Sequence, residues 1–286
     1  MEDLGLAYVY DGSFEGFLSA VFLAYERREC PADVVGAEQY APRLGQACVS
    51  VATDMGHAMR VRAGIERTCG PETFRQVAEA YLSDEPDKGA AALRFVRYAM
   101  RRGPRARFDK AAPEVARFAE IVRGVYNEQH LWVQFLRFSK TEGGVYVAAC
   151  NPKANVVPLL MGWFSRRFNV QPFVVYDEVH HVAGVSRDGR WNLVQTCDFT
   201  PPPAAAGDEM YERAWKAFYD AISIDARYNS ELRMRSMPKR LWKNVVELKD
   251  ISQGEFGEKE ERRPLPKQNS DALECGQSES IRVRAE

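Results

Sequence analysis

Trp132-Val133-Gln134-Phe135-Leu136-Arg137-Phe138-Ser139 is where the chain changes period, and that change decides the fold class. Upstream, apolar residues recur every three or four positions, as on one face of a helix. From Trp132 they alternate in the manner of a strand. Glu142-Gly143-Gly144 follows as a turn and residues 145–150 supply a second run, so a hairpin is expected. Val156–Phe168 returns to helical spacing. Phe173–Tyr176, Val179–Ser186 and Trp191–Gln195 read as further strands, with a turn at Arg187-Asp188-Gly189.

Working outward, residues 4–10 read as a short buried strand. Asp11-Gly12-Ser13 turns, and Ser13 is placed to cap a helix carrying Phe14, Phe17, Leu18, Val21, Phe22 and Tyr25. Cys48–Ala52 reads as another strand, and Thr53 or Asp54 caps a helix that Gly70-Pro71 ends. Segments 72–82, 86–102 and 113–130 suit helices, with a break at Arg102-Gly103-Pro104. Downstream of the sheet, Thr200–Gly207 reads as a linker. A helix follows over 208–222, with Trp215, Phe218, Tyr219 and Ile222 expected in the core, and a final short helix lies near Pro238–Leu248. The expected class is α+β: a helical N-terminal half to about 130, a small, mostly antiparallel sheet with one helix over 131–199, and a helical return over 208–250. These make a single domain over 1–250. Beyond it, 251–286 lose apolar periodicity and are expected to be disordered.

Apolar content of 45% and charged content of 28% over 286 residues fit an ordinary globular protein. No apolar run is long enough to cross a bilayer, and the chain does not open as a signal peptide does, so a cytoplasmic location is expected. The six cysteines are far apart with no CxxC pair, which argues against a zinc or iron–sulfur site in this chain. A net charge of -1 means that any polyanion site has to be a local patch.

Such patches exist along the sequence. From Arg227 to Lys243, six basic residues face the single acid Glu231, with Asn229 and Trp242 among them. Arg and Lys hold phosphates, Asn can read an adenine edge, and Trp can stack on a base. Asn229 serves equally well as a turn or cap residue, and Trp242 as the anchor of the last helix. A second run, Arg94, Arg97, Arg101, Arg102, Arg105, Arg107 and Lys110, is opposed by Asp109 alone, and its first three members fall on one helical face. It reads as a solvated face or as a phosphate contact. Arg166 and Arg167 end the 156–168 segment, where cations complement a helix C-terminus. With Arg137 and Arg187 they could also form a phosphate-holding group.

For chemistry the candidates are fewer. His130 could act as a general base oriented by Glu128. If 130–138 is a strand, His130 shares a face with Trp132, Gln134, Leu136 and Phe138. The alternative is a histidine that ties a helix end to a strand. His180-His181, after Asp177-Glu178, looks like a metal cluster, but neighbours on a strand point to opposite faces. A half-exposed strand edge is the better reading, and no metal site is expected.

The chain resembles a poorly characterised family described as DNA metabolism or DNA repair proteins. The residues that carry the resemblance are Tyr10-Asp11-Gly12-Ser13-Phe14-Glu15-Gly16-Phe17-Leu18 and Ala24-Tyr25-Glu26 near the start. In the middle they are Glu128-Gln129-His130, Phe135–Phe138, Pro158–Leu160 and Phe164–Phe168, and towards the end Arg227-Tyr228-Asn229 and Met237–Trp242. Ser230 and Leu241 depart from the pattern, standing where a proline and an aromatic are usual. Members are typically encoded beside a radical-SAM protein, and some are fused to a uracil-DNA glycosylase-like domain. The resemblance implies a DNA-binding accessory role. The iron–sulfur cluster and S-adenosylmethionine would belong to the partner, because this chain has no three-cysteine motif. Arg137, Arg166, Arg167, Arg227, Lys239 and Arg240 are the expected phosphate contacts, and Asn229 and Trp242 the expected base contacts. Rival expectations are an enzyme on a DNA base using His130 and Glu128, and a protein scaffold for the radical-SAM partner.

Overall fold

The computed structural model describes residues 5–200, 205, 208–222, 224 and 229–248. Most of the expected linker at Thr200–Gly207 falls outside this set, as do Arg227 and the expected disordered tail at 251–286.

The N-terminal half is not purely helical. β1 (Leu6–Tyr10), α1 (Phe14–Glu26) and β2 (Asp33–Gly36) make a crossover unit whose strands pair in parallel, Ala7 opposite Asp33 and Val9 opposite Val35. β3 (Ala47–Ser50) adds in parallel on the other side, giving the order β2-β1-β3. β2 went unread in the sequence because Asp33-Val34-Val35-Gly36 is too short to show a period. The caps agree with the sequence: the Ser13 hydroxyl accepts from the Gly16 amide, and Asp54 accepts from the His57 amide at the start of α2 (Met55–Cys69). Thr53 instead donates to Asp11 at 2.7 Å.

α3 (Pro71–Tyr81), α4 (Lys88–Arg102) and α5 (Pro113–Phe135) follow, with a 3-10 turn at Pro104–Phe108. α4 lies directly on β2. A side-chain carbon at Gly89 would come within 2.1 Å of the Val34 carbonyl oxygen, so only glycine permits that approach. The first core gathers Tyr8, Phe17, Val21, Val34, Phe95 and Phe118, among others.

α5 overturns the strand expected over 132–139. The helix continues to Phe135, and only Ser139–Lys140 (β4) are extended, paired antiparallel with β5 (Tyr146–Cys150) across the expected turn. The physical reason lies in the stripe Val115, Phe118, Val122, Val125, Glu128 and Trp132, all buried and spaced three or four apart. Trp132 Nε1 donates to Glu128 Oε1 at 3.0 Å across one helical turn. At 1.5 Å per residue, α5 runs about 34 Å. Its first half lies in the first core, and Val125 and Trp132 lie in a second.

The second core lies on a five-stranded sheet, β4-β5-β6-β7-β8, with β6 (Phe173–Asp177), β7 (Val182–Arg187) and β8 (Arg190–Gln195). Every pair is antiparallel except β5–β6, which α6 (Val157–Arg167) connects in parallel. Gly184 on β7 lets Met161 and Val157 of α6 approach the sheet. The protein is therefore α+β, with the mostly antiparallel sheet and its one helix as read from sequence.

The C-terminal return holds α7 (Asp208–Ile222), α8 (Ser230–Ser236) and two 3-10 turns, Lys239–Asn244 and Val246–Leu248. The last two replace the expected final helix. On α7 the expected core is absent: Trp215, Phe218 and Ile222 are exposed. The anchors are Leu241, Trp242, Val245 and Leu248, all buried in the second core.

Candidate nucleic-acid interface

The basic residues of the C-terminal return are brought to the end of α5 and the start of the loop after β5. Arg240 meets Glu128 with two parallel bonds, Nη1 to Oε1 at 2.8 Å and Nη2 to Oε2 at 2.6 Å. Glu128 is buried, and its Oε1 also accepts from the Lys153 amide at 2.9 Å and from Trp132. Asn151 braces the pair by donating to the Arg240 carbonyl at 3.0 Å. Arg137 is similarly spent. Its Nη2 lies 2.9 Å from Glu247 Oε1, while Trp215 Nε1 donates to Glu247 Oε2 at 3.0 Å. Burial alone would raise the Glu247 pKa, but the hydrogen bond and charge of Arg137 outweigh it and hold the carboxyl below its ordinary value. Lys243 pairs with Glu178 at 2.5 Å.

These contacts correct several expectations. Trp242 offers no face to a base, because its ring is buried and its Nε1 donates to the Met237 carbonyl at 3.0 Å. Asn229 is the N-cap of α8, accepting from the Leu232 amide at 2.9 Å. Lys239 is exposed. His130 and Glu128 do not form a pair: two positions apart on a helix, they point to different sides. His130 is exposed and its Nε2 lies 2.7 Å from Gln134 Nε2. Glu128 instead accepts from Arg240, Trp132 and the Lys153 amide.

A histidine the sequence reading set aside has the richer surroundings. Residues 178–181 form a turn instead of a strand edge, and His181 takes a left-handed backbone with φ 56. The turn lets His180 Nδ1 reach Asp177 Oδ2 at 2.6 Å and Nε2 reach Asp84 Oδ1 at 3.2 Å. Burial opposes the imidazolium, but the bonds to Asp177 and Asp84 prevail and lift the pKa to about 9. An i, i+3 Asp–His spacing was the available signal; the assumption of a strand concealed it. Among the described residues, no group of three or more His, Cys, Asp or Glu is placed to hold a metal ion.

A group of exposed cations lies at another place. Arg166 and Arg167 end α6, with Arg167 5.8 Å from the centroid of the Trp163 ring. The β7–β8 turn lies against the residues after α6: a side-chain carbon at Gly189 would stand 3.8 Å from the Asn169 carbonyl oxygen. That brings the exposed Arg187 and Arg190 to the same end of the sheet. The acids there are Asp188, 3.9 Å from Arg187, and Glu142 in the β4–β5 turn. The second basic run is divided. Arg97 donates to the Glu29 carbonyl and lies over Tyr25, Arg102 lies over Tyr98, and Arg107 faces Glu72.

Residues 86–247 match the model of a family described as a domain of unknown function, DUF4130, and this is more than half of the chain. The chain belongs to the DUF4130 family. The DUF4130 span runs from the start of α4 to Glu247, so it contains both Arg–Glu pairs and excludes the parallel sheet of β1, β2 and β3. No curated protein matches the chain. Among solved structures, it is similar to a pGpG-specific phosphodiesterase from Vibrio cholerae at 9% identity and a TM-score of 0.31, covering 77% of this chain and 100% of that one. Among the described residues, no helix of this DUF4130 protein is long and apolar enough to cross a membrane.

Proposed function

We propose that this DUF4130 protein is a nucleic-acid-binding accessory protein in DNA metabolism or repair, working beside a radical-SAM protein and, in some settings, a uracil-DNA glycosylase-like protein. Any iron–sulfur cluster and S-adenosylmethionine would be held by the radical-SAM partner. The observation that carries the DNA-binding part is the group Arg166, Arg167, Arg187 and Arg190 at one end of the second sheet, exposed and outnumbering the nearby acids. Exposed guanidinium groups suit phosphate oxygens, and their binding releases counterions. Arg137, Arg240 and Lys243 do not add to this surface, since each is already matched to a carboxylate.

Fluorescence anisotropy with labelled single-stranded and duplex DNA tests the reading. Affinity is expected to fall steeply with salt, and replacing the four arginines by alanine should lower the slope of log affinity against log salt by roughly one for each lost phosphate contact. Undetectable binding at low salt, or an unchanged slope in the quadruple variant, would count against it.

A scaffold reading is favoured by a separate observation. Met210, Tyr211, Trp215, Phe218 and Ile222 expose apolar side chains along α7, a stripe of the kind a protein partner covers. Co-purification of the radical-SAM protein without DNA, abolished by Phe218→Asp, would support it. The reading of His130 and Glu128 as an acid–base pair has no geometry behind it.

A further inference from the structure

α3, the Pro104–Phe108 turn and α5 enclose a groove of about 460 Å³, a size that suits a small ligand. Its floor is aromatic and aliphatic. Phe95 and Phe118 stack there with centroids 3.8 Å apart and planes 4° from parallel, flanked by Val115 and Val122. Its rim is basic: Arg75, Arg107, Lys110 and Arg123 line it against the single acid Glu72. Glu72 is shared, 2.6 Å from Arg75 and 3.8 Å from Arg107. Lys110 and Arg123 are exposed and have no ion-pair partner among the described residues.

Two rings stand at the mouth. Phe108 is 67% exposed, an unusual position for a phenylalanine directly beside an apolar floor, and the Arg107 guanidinium lies 4.6 Å from its ring centroid. Tyr126 is half open to solvent, its hydroxyl held by Glu79 at 2.6 Å, so that its ring is fixed in orientation. A planar ring with an attached dianion complements this arrangement: the ring meets Phe108 and Tyr126, and the charge meets three cations spread along the rim.

We infer that this groove binds a nucleotide, with its base against Phe108 and Tyr126 and its phosphate held by Arg107, Lys110 and Arg123. The inference rests on the nucleic-acid reading and deepens it, adding a contact for one unstacked nucleotide on a face formed by other elements than α6 and β7–β8. It also assigns Arg107 and Lys110 of the second basic run to the phosphate contact that was one of the two readings of that run. The same chemistry is offered by a free nucleotide and by a nucleotide within a single strand.

The test uses the full chain, with thymidine 5′-monophosphate measured by calorimetry and a labelled oligothymidylate by anisotropy. Three proteins are compared: wild type, Phe108→Ala, and the double variant Lys110→Ala/Arg123→Ala. All three side chains are exposed, so the variants should fold, and an unchanged circular dichroism spectrum checks this. Loss of one base stack should weaken binding roughly 5–150-fold. If the oligonucleotide loses affinity in both variants and the monophosphate competes for it, the site takes a strand. If only the monophosphate binds, and the variants abolish that binding, the site takes a free nucleotide and the DNA-binding reading of the protein falls. If wild type binds DNA and both variants bind it equally well, the groove inference is overturned while the arginines of α6 and β7–β8 keep their role. Binding of neither probe, or preferential binding of an acidic peptide, overturns the inference outright.

Discussion

Glu128 sits buried with donors from Arg240, Trp132 and the Lys153 amide on its two oxygens. Removing one partner of such a pair leaves a desolvated charge, which costs more than the pair contributes. Arg240→Ala is therefore expected to destabilise the protein by about 3–5 kcal/mol. Urea unfolding should show this as a lower midpoint with an unchanged slope. Glu128→Ala/Arg240→Ala should lose clearly less than the sum of the single changes, because neither charge is then stranded. The Ser13 and Asp54 caps could be read from sequence because a cap acts over three residues. The partner of Glu128 lies 112 residues away, and nothing in either neighbourhood names the other.

At the scale of elements, two glycines make opposite forecasts. Both stand inside helices, where alanine is ordinarily better by about 0.8–1.0 kcal/mol. Around Gly64 on α2 there is open space, so Gly64→Ala should stabilise by about that amount. At Gly89 on α4 the new carbon would lie 2.1 Å from the Val34 carbonyl oxygen, which is backbone and cannot step aside. The overpacking cost of about 1–3 kcal/mol should overcome the helix gain, and thermal midpoints of the two variants should move in opposite directions. The hardest element to read was the end of α5. Trp132-Val133-Gln134-Phe135 suits either period over so short a span, and burial of Trp132 beneath the C-terminal return decides for the helix. On α7 the error ran the other way. An apolar stripe at helical spacing was readable, but whether anything in the same chain covers it was not.

Across the molecule, His180 fastens the two cores, since Asp84 lies between α3 and α4 and Asp177 ends β6. Its folded pKa of about 9 exceeds the ordinary 6.5. The stabilisation it contributes is thus complete below about pH 6.5 and is lost as pH rises through 9. Thermal midpoints taken across that window should fall, and His180→Gln should flatten the fall by lowering the midpoint below about pH 6.5, towards the value that wild type reaches above pH 9. A slope identical in wild type and variant would show that other groups set it.

The sequence by itself determined the α+β class, the helix caps, most strand positions and the presence of basic clusters, because each of these is written in neighbours within a few residues. Only the tertiary structure decided which cations remain available. Ion pairs such as Arg137–Glu247, Arg240–Glu128 and Lys243–Glu178 join residues 65 to 112 positions apart. A charge close in space but remote along the chain leaves no periodicity to read, and burial then fixes which pairs persist.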